Sequence, residues 1–198
     1  MSHNSVAYVS PEEYLERERI AETKHEYING EIVAMAGGSL AHSLIAANII
    51  TALNNRIRGK GCHVFTSDAR VAVRWGELIA YPDVSALCGP PAYFDDHRDT
   101  ITNPVFVAEV LSPSTKNYDR GTKLRLYRMM PSFVECLLVE QTPVEVEHWR
   151  RLEHGDWLLS TIRDNAGVLK LQSLGCELPI ADIYHGVEEL LPDTSPRQ

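Results

Sequence analysis

The feature that most constrains the fold is the run VFVAEVL at residues 105–111, which is apolar except for Glu109. A run of this kind is typical of a central strand that is covered on both faces. A carboxylate buried there without a partner is costly, so Glu109 requires a cation, a metal ion or a hydrogen-bond donor. The run therefore predicts a sheet with an acidic side chain at its centre, which is either half of a structural salt bridge or a metal ligand.

The first third of the chain predicts two helices with a hairpin between them. Ser10 is placed to cap a helix in which Glu13 closes a capping box, and we expect this helix to reach about His25. The Asn-Gly pair at residues 29–30 lies between two short extended segments, which is a strong hairpin signal. Residues 40–58 carry the longest helical pattern of apolar side chains, and glycines follow it.

Extended segments dominate the rest of the chain. Strands are predicted at residues 63–66, 69–75, 78–88, 104–111, 134–140, 144–150 and 157–162, and a helix at residues 117–130. This mixed order predicts an α/β (α+β) fold with a mixed central sheet. The length of 198 residues suits a single domain over residues 1–190, followed by a disordered tail at residues 191–198.

Composition excludes several classes of protein. The formal net charge of −8 argues against a passive coat for nucleic acid, which would be basic. No run of about 18 apolar residues is present, and the N-terminus lacks an apolar signal core, so we expect a cytoplasmic protein that does not enter the membrane. No C-x-x-C pair occurs, so we expect four reduced, mostly buried thiols: Cys62, Cys88, Cys136 and Cys176.

A second acidic position lies in the segment LIAYPDVSALC. Pro82 and Asp83 interrupt an otherwise good strand, where both residue types are unfavourable. One interpretation is an edge strand or a turn. The other is a metal ligand that pairs with Glu109 across neighbouring strands, because paired carboxylate oxygens suit Mg²⁺ or Mn²⁺.

The segment DRGTKLRLYRMM adds a lysine to this pair. At helical spacing Lys123 shares a face with Leu126, Tyr127 and Met130, so it either points inward toward Glu109 or extends its amine outward to solvent. Two carboxylates with a divalent cation can activate water and brace a phosphate, and a lysine can orient that water or stabilise the developing charge. An inward lysine would therefore indicate phosphodiester hydrolysis.

Longer stretches of the chain resemble a known family. The runs KHEYINGEIVAMAGG, YPDVSALC, VFVAEVLSPST and NYDRGTKLRLYRMMPS are similar to the Uma-type restriction endonuclease family of the PD-(D/E)XK nuclease superfamily, over about residues 11–188. The resemblance implies a mixed sheet flanked by helices, an Mg²⁺-type site and catalytic roles for Asp83 and Glu109. The superfamily lysine normally follows the second acid by two residues, where this chain has Leu111. The resemblance therefore makes Lys123, on the following helix, the candidate for a relocated catalytic lysine.

Four further residues are candidates to support the site. In the resembling family an N-terminal helical glutamate faces the site, and the matching residue is Glu26; the alternative is a solvated charge before the hairpin. His42 either faces the site or caps and packs its helix, and the sequence slightly favours packing. Asp68 and Tyr127 are predicted to support the metal ligands from behind.

These observations favour an endonuclease that acts on DNA rather than RNA, as a homodimer suited to the two strands of a duplex. The alternatives are a catalytically silent nuclease-fold protein that acts in binding or interaction, favoured by Leu111 and the acidity, and a hydrolase of another phosphoester. A ring of basic side chains around Asp83 would indicate a polymeric substrate; the candidates are Arg70, Arg74, Lys116, Arg120 and Arg125. The long loop at residues 89–103 is expected to be a mobile lid or a dimer contact.

Overall fold

The computed structural model of the protein describes residues 8–73 and 76–191. Helix α1 (Pro11–Glu18) begins at Ser10, whose hydroxyl accepts a hydrogen bond from the Glu13 backbone N–H at 3.1 Å. The Glu13 side chain pairs with Arg17, so only half of the expected capping box forms. The helix ends at Glu18 and the next strand begins at His25, so the predicted extension to His25 is wrong.

The hairpin expected at residues 29–30 is confirmed. Strands β1 (His25–Ile28) and β2 (Glu31–Ala34) pair antiparallel around it. Asn29 and Gly30 have φ angles of 48° and 96°, and both lie in the left-handed region that a two-residue hairpin turn requires. The turn residues therefore fix the register of the first two strands.

Helix α2 (Leu40–Ile57) is the long helix that the apolar pattern predicts. Its buried side chains form one face, which packs against the larger of two sheets: Ala41, Ile45, Ile49, Ala52, Leu53 and Ile57. After a short turn the chain enters β3 (Cys62–Thr66), β4 (Arg70–Val73) and β5 (Leu78–Ala80). Arg74, a candidate for the basic ring, and Trp75 lie outside the described residues.

The strand predicted at residues 78–88 is divided in two. Strand β5 ends at Ala80, and β6 (Val84–Cys88) belongs to the other sheet. Proline has no backbone N–H to contribute to a ladder, so the chain leaves the first sheet around Pro82 and enters the second one directly after Asp83. The unfavourable residues that the sequence places in this strand therefore mark a crossing between sheets.

The remaining elements complete both sheets. They are β7 (Thr100–Ile101), β8 (Phe106–Leu111), α3 (Lys116–Tyr118), a π-helix (Asp119–Lys123), α4 (Leu124–Tyr127), β9 (Glu135–Glu140), β10 (Val146–Arg151), β11 (Trp157–Ile162), β12 (Val168–Leu171), β13 (Cys176–Pro179), α5 (Ile180–Ile183) and a 3₁₀ turn (Glu188–Leu190). Strand order is β2-β1-β5-β4-β7 in the smaller sheet and β11-β10-β9-β8-β6-β3 in the larger one, while β12 and β13 form a separate hairpin.

Both sheets are mixed, because β8 pairs parallel with β9 and β4 pairs parallel with β7. The expected α+β fold, a mixed central sheet flanked by helices, is confirmed. The helical segment 117–130 is also largely found, although its middle is a π-helix and its last turn ends at Tyr127. Residues 192–198, most of the tail predicted to be disordered, lie outside the described residues.

Strand β8 divides the core into two clusters. Phe106, Ala108 and Val110 point toward α2 and α5, while Val107 and Leu111 point toward α4 and the smaller sheet. Glu109 lies on the same face of β8 as Val107 and Leu111, because side chains two residues apart on a strand point the same way. It is 4% exposed. The central strand therefore presents its carboxylate to the space between the two sheets.

The cysteines differ from expectation. Cys62 and Cys88 are directly opposite each other on β3 and β6 and are joined by a disulfide, while Cys136 and Cys176 are free. The prediction of four reduced thiols is thus wrong for one pair. Disulfides are more typical of oxidising compartments than of the cytoplasm, so this bond does not support the expected cytoplasmic location. That location remains a prediction. Within the described residues, no helix has the length and apolarity needed to cross a membrane.

Candidate functional site

Lys123 is the centre of a buried polar cluster between the two sheets. Its Nζ lies 2.8 Å from Glu26 Oε1, 3.0 Å from Glu109 Oε1 and 3.8 Å from Asp119 Oδ1. The lysine is 5% exposed, so it points inward rather than toward solvent. We call Glu26, Asp83, Glu109, Asp119 and Lys123 the carboxylate–lysine cluster.

The π-helix brings two members of this cluster together. Asp119 and Lys123 are its first and last residues, and both are buried. Its i→i+5 hydrogen bonds give a wider turn than those of an α-helix, and turns of this kind are frequent at functional sites. Asp119 was not predicted, although an acid four residues before an inward lysine on one helix was a usable signal.

Asp83 joins the cluster through the backbone of β8. The Asp83 N–H donates to Glu109 Oε2 at 3.3 Å, and the Val110 N–H donates to Asp83 Oδ2 at 2.7 Å. These two hydrogen bonds hold the two acids side by side at the crossing between the sheets. The proposed pairing of Asp83 with Glu109 across neighbouring strands agrees with this geometry.

Glu26 reaches the cluster from an unexpected element. It lies on β1, not on a helix, and it is 7% exposed, so the interpretation as a solvated charge is wrong. Besides its contact with Lys123, Glu26 Oε1 accepts a hydrogen bond from the Tyr81 N–H at 3.3 Å. Since β1 belongs to the smaller sheet and Glu109 to the larger one, Lys123 links the two sheets.

His42 and Tyr127 each contact one of the two central acids. His42 Nε2 lies 3.1 Å from Asp83 Oδ2, and the Tyr127 hydroxyl donates to Glu109 Oε1 at 3.0 Å. The preference for a packing role of His42 is therefore wrong, because its ring faces the cluster. A Cβ on Gly38 would lie 2.7 Å from His42 Nδ1, so the glycine allows the backbone to approach the ring closely.

Burial and charge determine the protonation of the cluster. Burial raises the pKa of Glu109 to about 8, although the Lys123 charge opposes this shift. Burial also raises the pKa of Asp119. Burial works against the charged form of Lys123, but the surrounding carboxylates outweigh it and hold the pKa of Lys123 well above its ordinary value. The hydrogen bond to Asp83 raises the pKa of His42.

The cluster therefore contains more acid than base. Four carboxylates (Glu26, Asp83, Glu109 and Asp119) share one lysine and one imidazole. Buried negative charge of this kind needs either protons or a further cation. The raised pKa of Glu109 is consistent with a proton that neutralises its carboxylate when no further cation is bound.

Asp68 does not lie in the cluster. Its carboxylate is 83% exposed and pairs with Lys24. This salt bridge and one hydrogen bond within the turn after β3 account for its position, because the Asp68 N–H donates to the Thr66 hydroxyl at 3.3 Å. Its predicted supporting role has no geometric basis.

The predicted ring of basic side chains is also incomplete. Arg70 pairs with Asp99, and Arg120 pairs with Glu140 and Glu147. These guanidinium groups are therefore engaged within the protein. Lys116 and Arg125 are exposed.

The long loop at residues 89–103 is attached to the body of the protein. Arg19 Nε lies 2.9 Å from Asp99 Oδ2, and an Arg19 terminal nitrogen lies 2.6 Å from Asp95 Oδ2. Strand β7 within the loop pairs with β4. These contacts account for Asp95 and Asp99 of the loop and give no support to a mobile lid.

The chain matches the family model of Uma2, described as putative restriction endonuclease, over residues 11–181. A family match over this much of the chain defines its class, and the protein belongs to the Uma2 family. The resemblance carried by the four sequence runs is thereby confirmed.

Two relatives come from Synechocystis sp. (strain ATCC 27184 / PCC 6803 / Kazusa). The uncharacterized protein slr1290 is 40% identical over 181 residues, which is 90% of this chain and 93% of the relative. The uncharacterized protein sll1609 is 36% identical over 150 residues, which is 76% and 85% of the two chains. A crystal structure from Anabaena variabilis ATCC 29413, described as a putative nuclease belonging to DUF820, has a TM-score of 0.72 at 17% identity and covers 89% of this chain and 97% of its own. That likeness shows a shared fold.

Proposed function

We propose that this protein is a metal-dependent endonuclease that hydrolyses phosphodiester bonds of DNA. The observation that carries the proposal is the buried Lys123, held between Glu26 and Glu109 beside Asp83. A lysine and several carboxylates enclosed between two sheets are costly to bury. Buried clusters of this kind are frequent at active sites, and membership of a nuclease-like family supports that interpretation here. We assign catalytic roles to Asp83, Glu109 and Lys123.

The donor atoms present fit Mg²⁺ or Mn²⁺. Asp83 and Glu109 offer carboxylate oxygens, which these hard cations prefer, and excess negative charge surrounds them. Among the described residues, however, no group of three or more His, Cys, Asp and Glu side chains is arranged to hold a metal ion. We therefore assign Asp83 and Glu109 as the protein ligands, with the remaining positions available to water and substrate. The chemistry that such an ion supplies when bound is a lowered pKa for water and neutralisation of phosphate charge.

The protein side chains divide the remaining tasks. Lys123 holds Glu109 and Glu26 in place, and its ammonium stabilises the negative charge that develops on the phosphate. His42 orients Asp83 through the 3.1 Å contact, and Tyr127 orients Glu109 through the 3.0 Å hydrogen bond. Because Glu109 has a raised pKa near 8, it must lose its proton before it can act as a ligand.

Cleavage of supercoiled plasmid with Mg²⁺ or Mn²⁺ tests the proposal. Asp83→Asn keeps the shape of the side chain and still accepts from the Val110 N–H, but it lacks the charge, so we expect cleavage to fall to background. Asp68→Asn is the matched control, because it removes one exposed carboxylate whose ion pair is with Lys24 and not with a member of the cluster. Equal cleavage by the wild type and by Asp83→Asn would point to a contaminating nuclease and refute the assignment.

A catalytically silent nuclease-fold protein is the second candidate. Leu111 at the usual lysine position and the engagement of Arg70 and Arg120 in ion pairs favour it. It predicts that the wild type does not cleave DNA or RNA under any divalent cation. It also predicts that Mn²⁺ does not change the midpoint of thermal unfolding. A metal site predicts instead that Mn²⁺ raises this midpoint in the wild type and fails to raise it in Asp83→Asn.

Homodimerisation and a cytoplasmic location belong to the proposal as well. Two copies related by a two-fold axis would present one cluster to each strand of a duplex. Sedimentation equilibrium of the wild type, with and without duplex DNA, tests this part. A monomer under both conditions would limit the enzyme to nicking one strand per encounter.

A further inference from the structure

One hydroxyl beside the carboxylate–lysine cluster lacks a partner. The hydroxyl oxygen of Tyr118 is buried, and it forms no hydrogen bond with the described residues. A buried hydroxyl that gives up water without gaining a partner destabilises the fold. Such groups are rare in folded proteins, and each one calls for an explanation.

Other buried tyrosines in the described part of the chain satisfy their hydroxyls. Each donates to a backbone carbonyl or a carboxylate at 2.5–3.0 Å: Tyr14 to His25, Tyr27 to Val9, Tyr81 to Glu18, Tyr127 to Glu109 and Tyr184 to Glu140. The fold therefore readily provides partners for this side chain. The missing partner of Tyr118 is a local property of the position beside the cluster.

The position of Tyr118 points to the cluster. It is the last residue of α3 and directly precedes the π-helix, and the centre of its ring lies 6.0 Å from Lys123 Nζ. Burial raises the pKa of Tyr118, and the charges of Glu26, Glu109 and Asp119 raise it further. The hydroxyl therefore remains protonated at neutral pH and is able to donate a hydrogen bond.

We propose that the Tyr118 hydroxyl is a catalytic group that donates a hydrogen bond to a non-bridging oxygen of the scissile phosphate, beside Lys123. The inference rests on the proposed nuclease function and adds a neutral donor to it. A neutral donor suits this place because it stabilises developing negative charge without further increasing the charge of the cluster. It also explains why the hydroxyl has no partner among the described residues: its partner arrives with the substrate.

The test compares two Tyr→Phe variants. Tyr118→Phe removes a hydroxyl that has no hydrogen-bond partner in the described part of the chain, so its midpoint of thermal unfolding should stay equal to that of the wild type or rise. Its kcat for plasmid cleavage should fall about 100- to 1,000-fold, the range expected for loss of one donor to a developing charge, while KM changes little. Tyr184→Phe is the matched control, since it removes the hydroxyl that contacts Glu140 and Glu145. It should lower the midpoint and leave kcat unchanged.

The outcomes separate this inference from the proposed function. A wild type that cleaves DNA alongside a Tyr118→Phe variant with unchanged kcat overturns the role of Tyr118 and leaves the function standing. A fall in both kcat and the unfolding midpoint of Tyr118→Phe assigns the hydroxyl a structural role and also overturns the inference. A wild type that cleaves no polynucleotide overturns both proposals together.

Discussion

Lys123→Met tests the physical basis of the carboxylate–lysine cluster. Methionine has nearly the length of lysine and fits an apolar site, so the change removes a charge and leaves most of the packing. The side chains of Lys123, Glu26 and Glu109 are 6%, 9% and 5% exposed, so water compensates only a small part of the lost ammonium charge. Removal of one partner from a buried ion pair costs about 3–5 kcal/mol. We expect a loss of that order in the free energy of unfolding at about pH 8.

The loss should depend on pH in a defined direction. The pKa of Glu109 is raised from its ordinary value to about 8, so the folded protein holds a proton that the unfolded chain releases. A group of this kind stabilises the fold at low pH, and its contribution falls as pH rises toward the folded pKa. Without Lys123 the pKa of Glu109 rises further, so the variant keeps this proton at pH values where the wild type has lost it. The gap in stability between variant and wild type should therefore widen between about pH 7 and pH 9, by up to about 1.4 kcal/mol per pH unit for each extra proton held.

Urea unfolding followed by tryptophan fluorescence at both pH values measures the effect. Arg120→Met is the matched control, because Arg120 forms two ion pairs from the same π-helix but is 29% exposed, so its loss should be near 1 kcal/mol. Adding Glu26→Gln to Lys123→Met should recover part of the stability, since it removes one of the unpaired charges. Equal losses for Lys123→Met and Arg120→Met, or a loss independent of pH, would refute the reasoning.

Three further results are expected. Calorimetric affinity for Mn²⁺ should rise about tenfold per pH unit below pH 8, because the pKa of Glu109 is about 8 and binding must displace its proton; an affinity independent of pH would contradict this. Tyr127→Phe should destabilise the protein by about 1 kcal/mol in urea unfolding and move that Mn²⁺ profile to higher pH, because the ionised Glu109 loses a donor. Leu111→Lys should restore part of the plasmid cleavage lost in Lys123→Met, because residue 111 shares a strand face with Glu109, and no gain over the single variant would show that the lysine must come from the helix.

Local patterns were sufficient to predict the central strand and to make an inward Lys123 one of two interpretations. The run at residues 105–111 is apolar enough to require burial on both faces, and Glu109 is conspicuous within it. Lys123 shares a helical face with residues that are plainly apolar, so spacing indicated an inward direction but left an outward one open. In both cases the information lies within a few consecutive residues.

Contacts between distant segments were harder to predict. The disulfide depends on the register that places Cys62 opposite Cys88, and no local pattern encodes this pairing. Glu26 was identified only through the family resemblance, because a glutamate before a hairpin is ordinarily solvated. The end of α1 was misjudged because residues 19–24 are compatible with a helix, while the fold uses them to reach β1.

The location of the lysine on a helix has a structural consequence that a lysine on β8 would lack. From the strand, a lysine at residue 111 would project from the larger sheet beside Glu109. From the π-helix, Lys123 lies between the sheets and bonds both Glu109 of the larger sheet and Glu26 of the smaller one. The same ammonium group therefore joins the two halves of the core and supplies the positive charge of the proposed site. Substitutions of Lys123 should for this reason affect stability and cleavage together. Substitutions of Asp83, which bonds at the crossing between the sheets and to His42 but does not join the two sheets through a buried ammonium, should affect cleavage more than stability.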